Sequence, residues 1–327
     1  MDDIITKISG LREFDRGQCI IINGEEKFVN AFIHVFTGDM VGQNKLTGVM
    51  GPIADRGCRS CLIPKAEKND LEYNISENRR YHHINKALRD EIVRIRRDGS
   101  ENQLKIFTKK YGLLRDVSGV TEITPALDVI QSRPADPAHS DFAGVGKRCQ
   151  ELLFSLILTG SAQIEYVKCL NTFPFAPGWA RLQNPLQHLK SWRMSEAERA
   201  MIITPILLRC FLKPSHLSPS FFSAIGEVFA EEIETQSFTV TDVVIWAFWR
   251  IAYSVSLVMR SQVPASSPSS INQAILEGRS VYQRLCEAGS LQLQEDRLSA
   301  ETNKKRRVSD TLQAQVKAYN KELAKYH

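Results

Sequence analysis

Residues 18–39 read QCIIINGEEKFVNAFIHVFTGD, and they hold the strongest strand signal in the chain. Gln18–Asn23 is a short β-branched run that stops at Gly24, and Phe28–Phe36 mixes β-branched and aromatic residues before Thr37-Gly38-Asp39. Both patterns predict strands. Asn23-Gly24-Glu25-Glu26 between them predicts the hairpin connection. Glycines at 38, 42, 48, 51 and 57 then leave little room for a long helix. From Arg148 the spacing changes: Cys149, Leu152, Leu153, Leu156 and Ile157 fall on one helical face, as do Ile202, Ile206 and Cys210. The expected fold class is therefore α/β, with two to four strands near the N-terminus and a mostly helical body from about residue 80 onward.

The chain has 327 residues, 43% hydrophobic and 24% charged, which excludes a wholly disordered or fibrous protein. Its 42 lysines and arginines against 37 acids give +5 and permit nucleic acid without demanding it. Seven cysteines are too sparse for a secreted disulfide scaffold and fit a reducing compartment. The opening MDDIITKISGLREFDRG carries acids and lacks an apolar core, so no signal peptide is expected. The longest apolar run, Val243–Met259, holds Arg250 at its middle. A central charge costs about 2.5–3.5 kcal/mol in a bilayer, so a buried helix and no membrane partner are expected.

Between these regions, residues 65–115 carry 13 Lys and Arg against 8 acids. Leu88, Ile92 and Ile95 make a narrow apolar stripe there, so Lys86–Lys110 predicts one or two polar helices with a solvated face. Pro205 is expected to kink the helix it sits in, and Pro264–Ser270 (PASSPSS) to form a loop. A polar, basic tail from Gln294 contains Lys304-Lys305-Arg306-Arg307, a minimal nuclear-import pattern whose plain alternative is a solvated helix end. The resulting division is 1–64, 65–190, 191–263 and 264–327.

The sharpest local motif is Gly57-Cys58-Arg59-Ser60-Cys61. Two thiolates at C-x2-C spacing can grip one zinc from a single turn, with buried free thiols and redox chemistry as the alternatives. His82, His83 and His139 are candidates to complete such a site. Asp39, exposed by Gly38 at the end of a strand, has the geometry of a Mg2+ ligand, against a plain turn-forming Gly-Asp pair. Ser195 and Glu198 are spaced as a capping box, which leaves Glu196 without a structural task.

Read in order, these pieces resemble a fragment of a eukaryotic cut-and-paste DDE transposase of the CACTA-like group and its relatives in fungal genomes. The resemblance runs over Phe36-Thr37-Gly38-Asp39, Lys45-Leu46-Thr47-Gly48, Gly57-Cys58-x-x-Cys61, Asp136-Pro137-Ala138-His139, and Ser195-Glu196 ahead of Ile203–Arg209. It implies an RNase H-like core interrupted by a helical insertion. It makes Asp39 and Glu196 the second and third catalytic acids, holding Mg2+, and Cys58, Cys61 and His139 zinc ligands, with His82, His83 or His188 as the fourth.

The family's first catalytic Asp lies on an opening strand well upstream of the second. Only 38 residues precede Asp39 here, and Asp2, Asp3 and Asp15 are poorly placed to supply it. The resemblance therefore implies an incomplete RNase H-like core and a catalytically inactive, transposon-derived remnant. Such a remnant is expected to bind structural Zn2+ and, through Lys86–Arg115 and Lys304–Arg307, DNA, with a nuclear location, or a cytoplasmic one if the tail is not an import signal. Two rival expectations are an active Mg2+-dependent nuclease with its first acid supplied elsewhere, and a helical interaction protein with a structural CxxC.

Overall fold

The computed structural model describes residues 16–31, 34–35, 37–51, 53–116, 128–259 and 268–302, with side chains described as far as 294. The chain divides into two compact units, residues 1–139 and 140–327. It is mostly helical, and among the described residues its sheet is one antiparallel pair.

Unit 1 opens with the hairpin β1 (Gln18–Ile22) and β2 (Glu25–Val29). Asn23 and Gly24 both take positive φ, at 54° and 82°, the requirement of a two-residue primed turn. That tight turn sets the register Ile22↔Glu25 through Gln18↔Val29. The second strand therefore starts and ends earlier than the expected Phe28–Phe36, because a two-residue loop brings Glu25 directly opposite Ile22. Ile21 and Phe28 remain 78% and 66% exposed, so the hairpin contributes little core.

A short helix follows, α1 (Met40–Thr47), closed by Gly48 in the left-handed conformation at φ 68°. After an irregular stretch come α2 (His82–Asp98) and α3 (Glu101–Tyr111). Ser100 separates them and forms a reciprocal cap with Gln103. The apolar stripe of Leu88, Ile92 and Ile95 packs with Leu104, Phe107, Tyr111 and Leu113 into a small core. At Gly112, φ 65°, an added Cβ would lie 2.2 Å from the Arg56 carbonyl oxygen, so only glycine fits between these segments.

The described elements of unit 2 are all helices, joined by irregular segments such as residues 173–184. The π-helical turns of Ala138–Gly146 run into α4 (Lys147–Leu152) and a second π segment, Leu153–Ile157. Then come α5 (Gly160–Thr172), α6 (Met194–Phe211), α7 (Pro219–Val228), α8 (Ala230–Gln236), α9 (Val240–Val258) and α10 (Pro268–Thr302). Helix α9 is long and apolar enough to cross a membrane by length and composition. Within unit 2 it is the central element: Val243, Val244, Ala247, Phe248, Ile251 and Val255 are fully buried, and it packs on α6 and α10. Gly278 of α10 lets that helix close on Ser254 and the Arg250 carbonyl, where a Cβ would collide. Pro268, expected in a loop, starts α10, where its missing N–H costs nothing.

Candidate functional site

The Cys58–Cys61 turn lies in unit 1 and is held from outside by arginines. Arg80 is 1% exposed; its Nε donates to the Cys58 carbonyl at 2.8 Å and its backbone N–H to the Ser60 carbonyl at 3.0 Å. Arg133 donates to the carbonyl of Arg59. Three consecutive carbonyls of the turn therefore each accept from an arginine. Arg80 also donates to Tyr111 O at 2.7 Å and to Arg56 O, joining the turn to the end of α3. Arg133 reaches Thr47 Oγ1 at 2.8 Å, and Arg89 reaches Leu114 O at 2.8 Å and the carbonyls at the end of α1.

None of these three guanidiniums donates to a carboxylate among the described residues. Burial therefore holds Arg80, Arg89 and Arg133 down, each at about 10. For Arg80, the neighbouring Cys58 and Cys61 thiols work against that shift. Cys61 is buried and Cys58 half-buried, and the two side chains are within hydrogen-bonding reach. Burial, together with the charge of Cys58, pushes the Cys61 thiol up to about 11 despite a backbone hydrogen bond at Ile63.

The other expected ligands do not gather around this pair. His82 is the exposed first residue of α2, beside Tyr81, whose ring stacks on His83. His139 Nδ1 meets Asp136 Oδ2 at 2.7 Å. Among the described residues no group of three or more His, Cys, Asp or Glu side chains is placed to hold a metal. Cys58 and Cys61 thus supply two soft donors where a structural zinc takes four.

Both candidate catalytic acids have structural tasks. Asp39 does not end a strand: it is the N-cap of α1, and its Oδ1 accepts from Gly42 N at 2.5 Å. Glu196 was expected to be free, with Ser195 and Glu198 capping the helix. Instead α6 begins at Met194, which moves the third helical position to Glu196. Its Oε2 accepts from Arg193 N at 2.8 Å. Glu198, two residues further on, has its carboxyl pushed up by burial. Asp39 belongs to unit 1 and Glu196 to unit 2.

The basic stretch Lys86–Arg115 folds as the α2–α3 hairpin. Three of its four acids are taken by arginines: Glu91 by Arg94, Asp98 by Arg97 and Glu101 by Arg115. Lys86, Lys105, Lys109 and Lys110 are exposed and have no carboxylate partner among the described residues. Lys110 and Arg56 both lie over the Tyr111 ring, at 5.2 and 5.9 Å from its centre. The same three residues, with Tyr73 and Asn78, line an open depression of about 510 Å3. Lys304–Arg307 lies outside the described residues.

Two features carried no sequence signal strong enough to find them. The buried arginines sit in a charge run whose plain reading is a solvated face, and the capping role of Glu196 depends on a helix start two residues earlier than the Ser-x-x-Glu spacing suggests. No family model, curated protein or solved structure matches this chain.

Proposed function

We propose that this chain binds nucleic acid through the α2–α3 hairpin and does not cut it, as a transposase-related protein whose RNase H-like ancestry survives without a working metal site. The observation that carries the binding reading is the distribution of charge on the hairpin. Three of its four acids are paired with arginines, while the surplus sits on exposed lysines, with Lys110 over Tyr111. Lysines so placed contact phosphates, and a tyrosine flanked by cations offers a base a stacking surface. The absence of cutting is supported by Asp39 and Glu196, each of which closes a helix N-terminus. A zinc on Cys58 and Cys61 would need two further donors from beyond the described residues. Nuclear location belongs to the same proposal and rests on Lys304–Arg307.

A fluorescently labelled mixed-sequence DNA, titrated with the full chain, tests the reading. Affinity should fall steeply between about 50 and 200 mM salt, and the charge reversal K105E/K109E/K110E should weaken binding by at least about tenfold. Equal affinity for the triple variant would reject the hairpin as the contact. Cleavage of the DNA with Mg2+ or Mn2+, above a Glu196→Gln control, would reject the absence of activity.

A second reading, an interaction protein, has one observation in its favour. Trp249 and Tyr253, one helical turn apart on α9, are 55% and 42% exposed on a helix whose opposite face is buried.

A further inference from the structure

We propose that Cys58 and Cys61 form a redox-active dithiol that closes a reversible intramolecular disulfide by exchange with a small-molecule disulfide of the glutathione type. The inference stands on geometry and is independent of the nucleic-acid reading. The two cysteines sit on one tight turn, where the Ser60 N–H between them donates to Cys58 Sγ at 3.4 Å, and no third metal-binding side chain joins them among the described residues. Cys58 is half-buried and so open to a small reagent, whereas Cys61 is 2% exposed and shielded from one. That asymmetry assigns the order of events.

The Cys58 thiolate attacks one sulfur of the small disulfide; a Cys58–S–S–R bond forms and one RS⁻ leaves. The Cys61 sulfur then attacks the Cys58 sulfur, its thiol proton passing to the second RS⁻ as that group leaves. The two protein thiols are oxidised, the small disulfide is reduced to two thiols, and the two cysteine protons end on the leaving groups. The turn is suited to both states. The carbonyls of Cys58, Arg59 and Ser60 are held by Arg80 and Arg133, bonds that do not depend on the state of the sulfurs, while the Ser60 N–H donates to Cys58 Sγ at 3.4 Å.

All seven cysteines are free in this structure, which makes the test direct. The reduced full chain is equilibrated in mixtures of reduced and oxidised glutathione, quenched with acid, alkylated and mapped by peptide mass spectrometry. Two of the seven cysteines, Cys58 and Cys61, should lose alkylation together, ahead of any other pair, and regain it with a dithiol reductant. In Cys58→Ser, Cys61 should stay alkylatable after denaturation at every ratio. Three results overturn the proposal: both thiols persisting in a folded chain at the most oxidising ratio, a glutathione adduct on Cys58 that Cys61 never resolves, or a bond forming first between Cys169 and Cys210. So does co-purifying zinc, about one per chain, that shields both thiols and vanishes in Cys58→Ser; it would make the pair metal ligands instead.

Discussion

Unit 1 and unit 2 are stabilised by different chemistry. Unit 2 follows hydrophobic periodicity: α9 presents Val244, Phe248, Ile251 and Val255 to its neighbours, and each is fully buried. Unit 1 has a small apolar cluster around Ile92, Leu104 and Leu113, and its irregular segments are fastened by the long side chains of Arg80, Arg89 and Arg133, which reach backbone carbonyls 22 to 74 positions away in sequence. Carbonyls outside helices and strands must find donors, and one guanidinium with five N–H groups can serve several. A core of apolar contacts tolerates repacking; a set of carbonyls sharing one donor does not.

The largest effect expected from this contrast is at Arg80. Arg80→Ala strands the carbonyls of Arg56, Cys58 and Tyr111 in a buried setting, at about 1–3 kcal/mol each, or about 5 kcal/mol together. Hydrogen exchange resolved by peptide should show residues 49–62 and 78–114 losing protection while unit 2 keeps its own. Arg80→Lys keeps the charge but offers one nitrogen for three sites, and should recover no more than about 1 kcal/mol. A variant with full protection would mean the arginines decorate unit 1 without holding it.

Next is the apolar counterpart. Phe248→Ala empties a fully buried ring position on α9 and should cost unit 2 about 4 kcal/mol, read from urea unfolding. Phe248→Leu should cost roughly 1–2 kcal/mol, since much of the space stays filled. The comparison fails if the conservative change at Phe248 is as damaging as Arg80→Lys.

Unit 2 has polar fastenings of its own, and one of them gives a pH test. Arg284 pairs with Glu232, donating to its Oε2 at 2.7 Å, and lies over the Phe229 ring with 4.1 Å to the centroid. The hydrogen bonds from Arg284 hold the Glu232 carboxyl below its ordinary 4.5. The folded state therefore binds this proton less readily than the unfolded chain does. The pair's stabilisation is fully present above pH 4.5 and lost as pH falls through the lowered value. The pair is partly exposed, so Glu232→Gln should cost about 1 kcal/mol at pH 7, and the difference from wild type should vanish toward about pH 3. A difference constant with pH would mean Glu232 acts by packing and not by charge.

What the sequence disclosed follows the same division. Helices α2, α3 and α9 were legible because buried residues recur at helical spacing, and the hairpin because Asn23-Gly24 suits a primed turn. The length of β2 was not legible: Phe28–Phe36 has strand composition, but composition does not state where pairing stops. Arg80 and Arg89 were hidden among exposed cations such as Lys86 and Arg94, since no local pattern tells a guanidinium that points inward from one that points out. The Cys58–Cys61 pairing was visible as a motif. The lack of a third ligand beside it was not, because His82 follows Cys61 at a plausible spacing and His139 sits in a landmark of the resembled family, yet α2 and Asp136 place them elsewhere.

The smallest expected effect separates two roles for the acids at 39 and 196. A cap needs an acceptor oxygen, whereas a Mg2+ ligand needs negative charge. Asp39→Asn and Glu196→Gln keep an oxygen at Oδ1 and at Oε, so each should change stability by no more than about 0.5 kcal/mol, because Asn caps about as well as Asp. Asp39→Ala and Glu196→Ala remove the acceptor from Gly42 N and Arg193 N, and each should cost about 1 kcal/mol. Thermal unfolding of the four variants with and without millimolar Mg2+ gives the readout. The capping role predicts the amide variants near wild type and no Mg2+-dependent shift in any of them. A shift in melting temperature with Mg2+ that is present in wild type and absent from both amide variants would show charge at work, and would return Asp39 and Glu196 to a shared metal site that neither helix cap explains.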